Sequence, residues 1–211
     1  MHIVNIVIAL FLAYLLGSIP TAVWVGKIFH SIDVREHGSG NAGATNVIRV
    51  LGWKTGIPVM IVDIAKGWLA AYLPVLLHLA EPGSAQLTNI QILAGITSII
   101  GHVYPVLAGF RGGKGVACTV GVLIALHPFL TFSCIAIFLV VLLITGYVSV
   151  ASMSMGVSFP VLLFTLFNTP SLYFKIFSIL IAIAIILTHR KNIRRLLKGE
   201  ESKLIKHKQK V

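Results

Sequence analysis

The sequence predicts an all-α integral membrane protein. Of its 211 residues, 57% are hydrophobic, and the mean hydropathy is +0.95. The apolar residues fall in long runs without charge, while the basic ones gather in loops and at the C-terminal end. A soluble domain is roughly 45–50% apolar, and an uncharged run of about 20 residues is long enough to cross a bilayer as a helix. Helices follow because hydrocarbon leaves each backbone N–H and C=O to find its partner within the chain. No stretch has the length or polarity of a separate soluble domain. Residues 1–211 therefore read as a single polytopic domain, of which 189–211 is a basic tail.

The first span is expected over 3–25, closed by Lys27. No Lys or Arg precedes it and no small-residue cleavage site follows, so it reads as a retained span rather than a signal peptide. Ser18, Pro20 and Thr21 near its end suit either a polar cavity or a kink, and the kink is the simpler reading. A polar loop over 28–55 leads to a second span over 56–77. There Asp63 and Lys66 share a helix face. They are either a functional intramembrane pair or an interfacial pair with Lys66 snorkelling outward. The loop over 80–91 carries Glu81 and no basic residue, which places it outside. A third span over 87–107 ends in Gly-His-Val-Tyr-Pro.

Residues 116–145 form one long helix or two short ones. His127-Pro128 near the middle favours a break, since proline removes a donor and clashes with the preceding turn. Crossing twice also puts the 38–49 loop, the Lys114 loop and the basic tail on one side. Spans over 148–167 and 172–187, joined by Asn168-Thr169-Pro170, complete a set of seven transmembrane helices. The N-terminus is then outside and the C-terminus cytoplasmic. The half-segment 116–126 is short for a span, so either the bilayer is thinned there or the glycine-rich motif dips inward.

The net charge is +11, and nine of the seventeen Lys and Arg residues lie within 190–210. Behind a stack of apolar helices this is the positive-inside signature, with anionic lipid rather than nucleic acid as the contact. Cys118 and Cys134 both lie in apolar segments, which is neither a disulfide framework nor a zinc spacing.

Three polar motifs carry the chemistry. Gly-Ser-Gly-Asn-Ala-Gly-Ala-Thr-Asn-Val-Ile-Arg over 38–49 offers glycines for close backbone approach. It also offers hydrogen bonds from Ser39, Asn41, Thr45 and Asn46 and a cationic fork from Arg49. It formally fits the dinucleotide fingerprint but lacks the strand before it and the βαβ unit. It is a phosphate-recognising loop or a flexible inter-helix loop. Phe-Arg-Gly-Gly-Lys-Gly over 110–115 fails as a Walker A loop, because Ala108 stands at the first glycine and Gly115 follows Lys114. Gly112, Gly113 and Gly115 nevertheless free the backbone beside two cations, Arg111 and Lys114. A helix opening at Val116 adds its N-terminal dipole. The third motif, Thr-His-Arg-Lys-Asn-Ile-Arg-Arg-Leu over 188–196, puts His189 and Asn192 on one face of a continuing helix. Its simpler reading is an amphipathic interfacial helix. A ring of Arg49, Arg111, Lys114 and His189 suffices for two phosphates. With no Ser-His-Asp set, no H-E-x-x-H and no paired carboxylates, an enzyme of this kind works by holding an activated substrate in place.

Taken with Gly-Ser-Ile-Pro-Thr-Ala over 17–22, Gly101 to Gly115 and Gly199-Glu200, these motifs resemble the polytopic bacterial acyl-phosphate:glycerol-3-phosphate acyltransferases, the PlsY family. The motifs cover about a fifth of the chain, and their order extends the match end to end. The resemblance implies transfer of a fatty acyl group from acyl phosphate to the 1-hydroxyl of glycerol 3-phosphate. The products are lysophosphatidic acid and phosphate, in the first acylation step of phospholipid biosynthesis. It implies a seven-helix fold in the bacterial cytoplasmic (inner) membrane with the active site facing the cytoplasm. It implies no cofactor, and the sequence gives no sign of a metal site, a nucleic-acid partner or an obligate protein partner. Ser39, Lys114 and His189 are the catalytic candidates. Asn41, Thr45, Asn46, Arg49, Arg111, Gly112, Gly113, Gly115 and Asn192 are the substrate-binding ones. Lys114, its glycines, Ser39 and Thr45 are assigned to the acyl-phosphate phosphate, and Arg49, His189 and Asn192 to glycerol 3-phosphate. Asn41 and Asn46 brace their loop or touch substrate. The base is His189, His102 or a phosphate oxygen of the substrate. Ser149 and Ser152 are outlying candidates. The competing readings are an organic-phosphate transporter, for which Asp63 and Lys66 would serve, and a non-catalytic membrane subunit with a lipid-binding tail.

Overall fold

The computed structural model describes residues 2–167 and 171–205, and all regular structure among them is helical. The chain forms two compact units, Met1–Pro128 and Phe129–Val211. The expected Asn168-Thr169-Pro170 link, and Lys206, Lys208 and Lys210 of the basic tail, lie outside the described residues.

The first unit holds α1 (His2–Ser18), α2 (Thr21–His30), α3 (Ala44–Leu51), α4 (Trp53–Leu76), α5 (Ala85–Val103) and α6 (Val116–Leu126). The expected first span bends by 41° between α1 and α2. Pro20 lacks an N–H and disfavours helical geometry at Ile19. The polar loop expected over 28–55 is largely ordered. The second helix runs on to His30, a short 3₁₀ turn covers Val34–Glu36, and α3 carries the end of the glycine-rich motif. Val34 and Val47 pack with Ala22 and Val59, which anchors this loop to the helices. The fifth helix begins within the expected outer loop because the Ser84 side chain accepts a hydrogen bond from the Leu87 N–H and caps it.

The fourth helix packs against α1, α3, α5 and α6, and α1 against α5. Small residues allow the close approach. A Cβ at Gly67 or Gly121 would collide with the Cys118 or Ile64 carbonyl, and one at Gly17 or Gly101 with the Ser98 or Tyr14 carbonyl. Such contacts drive helix association where lipid removes the hydrophobic incentive. The break expected at His127-Pro128 is present, between α6 and the next helix.

The second unit holds α7 (Pro128–Thr145), α8 (Val148–Leu162), α9 (Leu172–Thr188) and α10 (Arg190–Leu197). A π-helical turn over Leu163–Phe167 extends α8. The eighth and ninth helices pack through an edge-to-face contact of Phe159 with Phe174 and through Gly156 against Ile185.

Among the described residues, four helices are long and apolar enough to cross a membrane, or up to six if the bent pairs α1–α2 and α9–α10 each count as one span. The 11-residue α6 is a shorter apolar helix. Large apolar side chains such as Phe11, Phe129, Ile144 and Leu166 point outward, as they do where the surroundings are lipid.

Candidate active site

The glycine-rich loop before α3 is built around Asn46. Its side chain is buried. Its Oδ1 accepts from the Ser39 N–H at 2.8 Å and from the Ser39 hydroxyl at 3.1 Å. Its Nδ2 donates to the Val34 carbonyl at 2.7 Å and the His37 carbonyl at 3.0 Å. Both amide protons are therefore spent within the loop. Of the two roles open to Asn46, bracing is the one this geometry displays. Gly38 turns the chain at φ 61°, and a Cβ there would strike Asn46 Oδ1. Asn41, Thr45 and Arg49 are half-buried, with Arg49 in the last turn of α3.

The second loop lies against the C-terminal end of α5. The Gly112 N–H donates to the Val103 carbonyl and the Gly113 N–H to the His102 carbonyl, both at 3.2 Å. A Cβ at Gly112 would collide with that His102 carbonyl, and one at Gly113 with the imidazole. These glycines were expected to free their backbone for an anion. Instead their N–H groups are taken, and the missing side chains let the loop close onto α5. Gly115, left-handed at φ 82°, opens α6. Lys114 is half-buried just before that helix N-terminus, while Arg111 is exposed. The first N–H groups of α6 have no partner within the helix, and its dipole favours an anion there.

Arg35 ties the two loops together. Its Nε and Nη2 donate to Asp33 Oδ1 and Oδ2 at 2.9 and 2.7 Å. Its Nη1 donates to the Ala108 carbonyl at 2.8 Å and the Arg111 carbonyl at 3.4 Å. The guanidinium holds the Asp33 carboxyl far below the usual carboxylate range, against a smaller opposing effect of burial. Arg35 lies outside the three polar motifs. The readable signal was an Asp and an Arg two residues apart, just before the glycines.

Under these loops is a small cavity of about 10 Å³, lined by Ile19–Thr21, Ala42, Asp63, Lys66, His102, Pro105 and Gly112–Gly113. The Lys66 ammonium meets Asp63 Oδ1 at 2.9 Å and donates to the Ile19 carbonyl at 2.7 Å. The Thr21 hydroxyl donates to Asp63 Oδ1 at 3.1 Å. The snorkelling reading of Lys66 fails, because its side chain is 4% exposed and turned inward. The reading of Ser-Ile-Pro-Thr as a simple kink is also corrected. The segment breaks the helix and lines the cavity, and the Ile19 carbonyl accepts from both the Lys66 ammonium and the Thr21 N–H. His102 lies between this pair and the second loop, with Nδ1 at 3.8 Å from Asp63 Oδ1.

In the second unit, α9 and α10 meet at a 54° bend, so His189 sits at a corner rather than on a continuing helix. Both His189 and Asn192 are buried. His189 Nδ1 lies 2.7 Å from the Ile185 carbonyl. A carbonyl only accepts, so Nδ1 carries the proton and Nε2 of the neutral ring is an acceptor. Asn192 Nδ2 donates to Glu201 Oε1 at 2.6 Å, Ser149 donates to the same oxygen at 2.8 Å, and Arg195 Nε donates to Oε2 at 2.7 Å. Burial by itself would raise the Glu201 pKa, but hydrogen bonds from Asn192, Arg195 and Ser149 outweigh it and leave the group lowered. Ser149 thus joins Asn192 through the Glu201 carboxylate, which lies outside the three polar motifs. Ser152 is buried in α8. Among the described residues, no cluster of His, Cys, Asp and Glu has the makings of a metal site.

A family model described as glycerol-3-phosphate acyltransferase matches residues 7–199. The chain belongs to the glycerol-3-phosphate acyltransferase family. Curated relatives of that name include proteins of Chlorobium luteolum and Chlorobium limicola. They are 39% and 41% identical to this chain, and each alignment covers 91% of this chain and 93% of the relative. The fold resembles the crystal structure of PlsY (YgiH), an integral membrane glycerol 3-phosphate acyltransferase, in its glycerol 3-phosphate form. The TM-score is 0.85 at 36% identity, over 94% of this chain and 95% of that one. The lysophosphatidic acid form of PlsY matches with a TM-score of 0.80 at 35% identity, over the same shares of the two chains. The acyltransferase family match therefore runs across both units and takes in every candidate residue from Ser39 to Asn192.

Proposed function

We propose that this protein transfers a fatty acyl group from acyl phosphate to the 1-hydroxyl of glycerol 3-phosphate, releasing lysophosphatidic acid and phosphate. Membership of the acyltransferase family supports the acceptor, since its relatives carry glycerol 3-phosphate in their name. The observation that carries the reading is the clasp of the two glycine-rich loops in the first unit. It sets Ser39 and Lys114 on loops fastened to one another, next to the α6 N-terminus.

The chemistry asks little more of the protein. An acyl phosphate is a mixed anhydride, so phosphate is already a good leaving group. Catalysis then consists of holding two phosphates and aligning a hydroxyl with the carbonyl carbon. Lys114, Ser39 and Thr45 meet the phosphate of the donor, beside the dipole of α6, with Arg111 adding charge from outside. Gly112 and Gly113 shape the loop, and Gly115 starts the helix. Arg49, His189 and Asn192 are assigned to glycerol 3-phosphate on their motifs. The hydroxyl proton passes to a basic acceptor as the C–O bond forms, and either His189 Nε2 or a phosphate oxygen of the donor suits that step. No cofactor, metal or protein partner is called for.

Seven spans suit the helices, counted as the four long ones, the two bent pairs and α6. Positive-inside bias then puts the N-terminus outside and the polar loops and basic tail in the cytoplasm, in the inner membrane of a bacterium, with 1–211 acting as one domain. At 11 residues α6 is roughly 16 Å long, about half the hydrocarbon thickness. Either the bilayer is thinned there or the Gly112–Gly115 backbone dips inward.

The test is phosphate release from palmitoyl phosphate by the detergent-purified protein, with and without glycerol 3-phosphate. Release that needs both substrates and yields lysophosphatidic acid upholds the reading. Turnover only with an acyl thioester would overturn the donor, and no turnover with either would overturn the enzyme.

A further inference from the structure

The four contacts of the Arg35 side chain all serve the protein itself. Its charge is met by Asp33 through two hydrogen bonds, and its remaining arm reaches the carbonyls of Ala108 and Arg111. Its own segment is held by Asn46, which bonds the carbonyls of Val34 and His37 on either side of it and also Ser39. The second loop is fastened again just downstream, where Gly112 and Gly113 bond the end of α5. Lys114 follows directly.

We infer that Arg35 is a positioning residue that joins the Ser39 loop and the Lys114 loop into one rigid unit, so that the two loops act on the donor phosphate together. The role needs an arginine. The planar fork satisfies a carboxylate and two carbonyls at once, whereas a lysine ammonium is a single point that faces one of them. Asp33 holds the fork in that orientation. Lys27, 3.3 Å from Asp33 Oδ2, adds charge to the pair without reaching the second loop. This inference rests on the proposed role of Lys114, but its structural half is tested apart from activity.

The experiment compares wild type, Arg35→Lys, Asp33→Asn and the double variant Asp33→Asn/Arg35→Lys in detergent. Hydrogen exchange of peptides covering 106–116 reads the clasp, and steady-state kinetics with palmitoyl phosphate and glycerol 3-phosphate reads its consequence. In Arg35→Lys we expect faster exchange at Gly112 and Gly113 and a fall of about tenfold to a hundredfold in kcat/KM for palmitoyl phosphate, with the melting temperature little changed. The double variant should be no worse than Arg35→Lys, because both changes break one contact. If Arg35→Lys does not fold, Asp33→Asn is expected to show the same two effects to a smaller degree. Unchanged exchange overturns the inference, as does faster exchange with wild-type kinetics. An inactive wild type overturns the proposed function instead, and the exchange data still decide whether Arg35 joins the loops.

Discussion

Asn46 receives both the backbone N–H and the side-chain hydroxyl of Ser39 on one oxygen, at 2.8 and 3.1 Å. A residue of the first glycine-rich motif therefore sets the rotamer and backbone of a catalytic candidate seven positions earlier. Asn46→Asp keeps the acceptor but replaces the amide donors with an oxygen facing the carbonyls of Val34 and His37. Buried acceptors left unsatisfied cost about 1–3 kcal/mol. The expected outcome is a lowered melting temperature in detergent together with lost acyl transfer. Wild-type stability in that variant would show that the brace is dispensable.

Lys114→Ala should remove turnover while the protein still folds. Losing one oriented charge costs about 3–4 kcal/mol of transition-state stabilisation, roughly a hundredfold to a thousandfold in rate. Phosphate release and the elution profile of the purified variant check the two halves of this expectation. Wild-type activity would remove the central assignment.

Two glycines offer a contrast. Gly113→Ala drives a methyl into the His102 ring, whereas at Gly83 a Cβ would meet nothing within 4 Å although φ is +76°. Gly83→Ala should cost only the left-handed strain, about 1 kcal/mol, and leave activity alone. Gly113→Ala should displace Lys114 and depress activity at least as much as it depresses stability. Equal effects of the two substitutions on activity would contradict this account of the second loop.

Asp63 and Lys66 are buried together, so removing one strands the other. Lys66→Met should destabilise by about 3–5 kcal/mol, read as a fall in melting temperature. Asp63→Asn/Lys66→Met should be milder than Lys66→Met, because no charge is left unpaired. A double variant worse than the single would show that the Thr21 and Ile19 contacts matter more than the charge balance.

Acid sensitivity should follow Glu201. Its folded pKa lies below the ordinary 4.5, so protonation weakens its hold on Asn192, Arg195 and Ser149. The stabilisation is fully present above the ordinary value and is lost as the pH falls through the lowered one. Asp33, also lowered, acts in the same direction in the first unit. Thermal melts from pH 7 to pH 3 should show a steeper acid loss for wild type than for Glu201→Gln. Parallel curves would remove Glu201 from the explanation.

Much of this protein was legible in one dimension. Apolar runs without charge specify helices, because hydrocarbon leaves a backbone no other way to bond its N–H and C=O groups. His127-Pro128 marked a break because proline acts on its own neighbours. The motifs around Ser39, Lys114 and His189 marked the family, since residue order alone carries that resemblance. The tertiary structure decided what those motifs do with their atoms. Gly112 and Gly113 turned out to be close-packing residues, which depends on where the end of α5 lies. Lys66 turned inward because Asp63 and the carbonyl of Ile19, 47 residues earlier, meet its ammonium there. Arg35 and Glu201 emerged as anchors only once Ala108, Arg111, Ser149 and Asn192 had been brought to them. Local sequence sets which hydrogen-bonding groups are present. Which of them are spent within the protein is settled by partners distant in the chain.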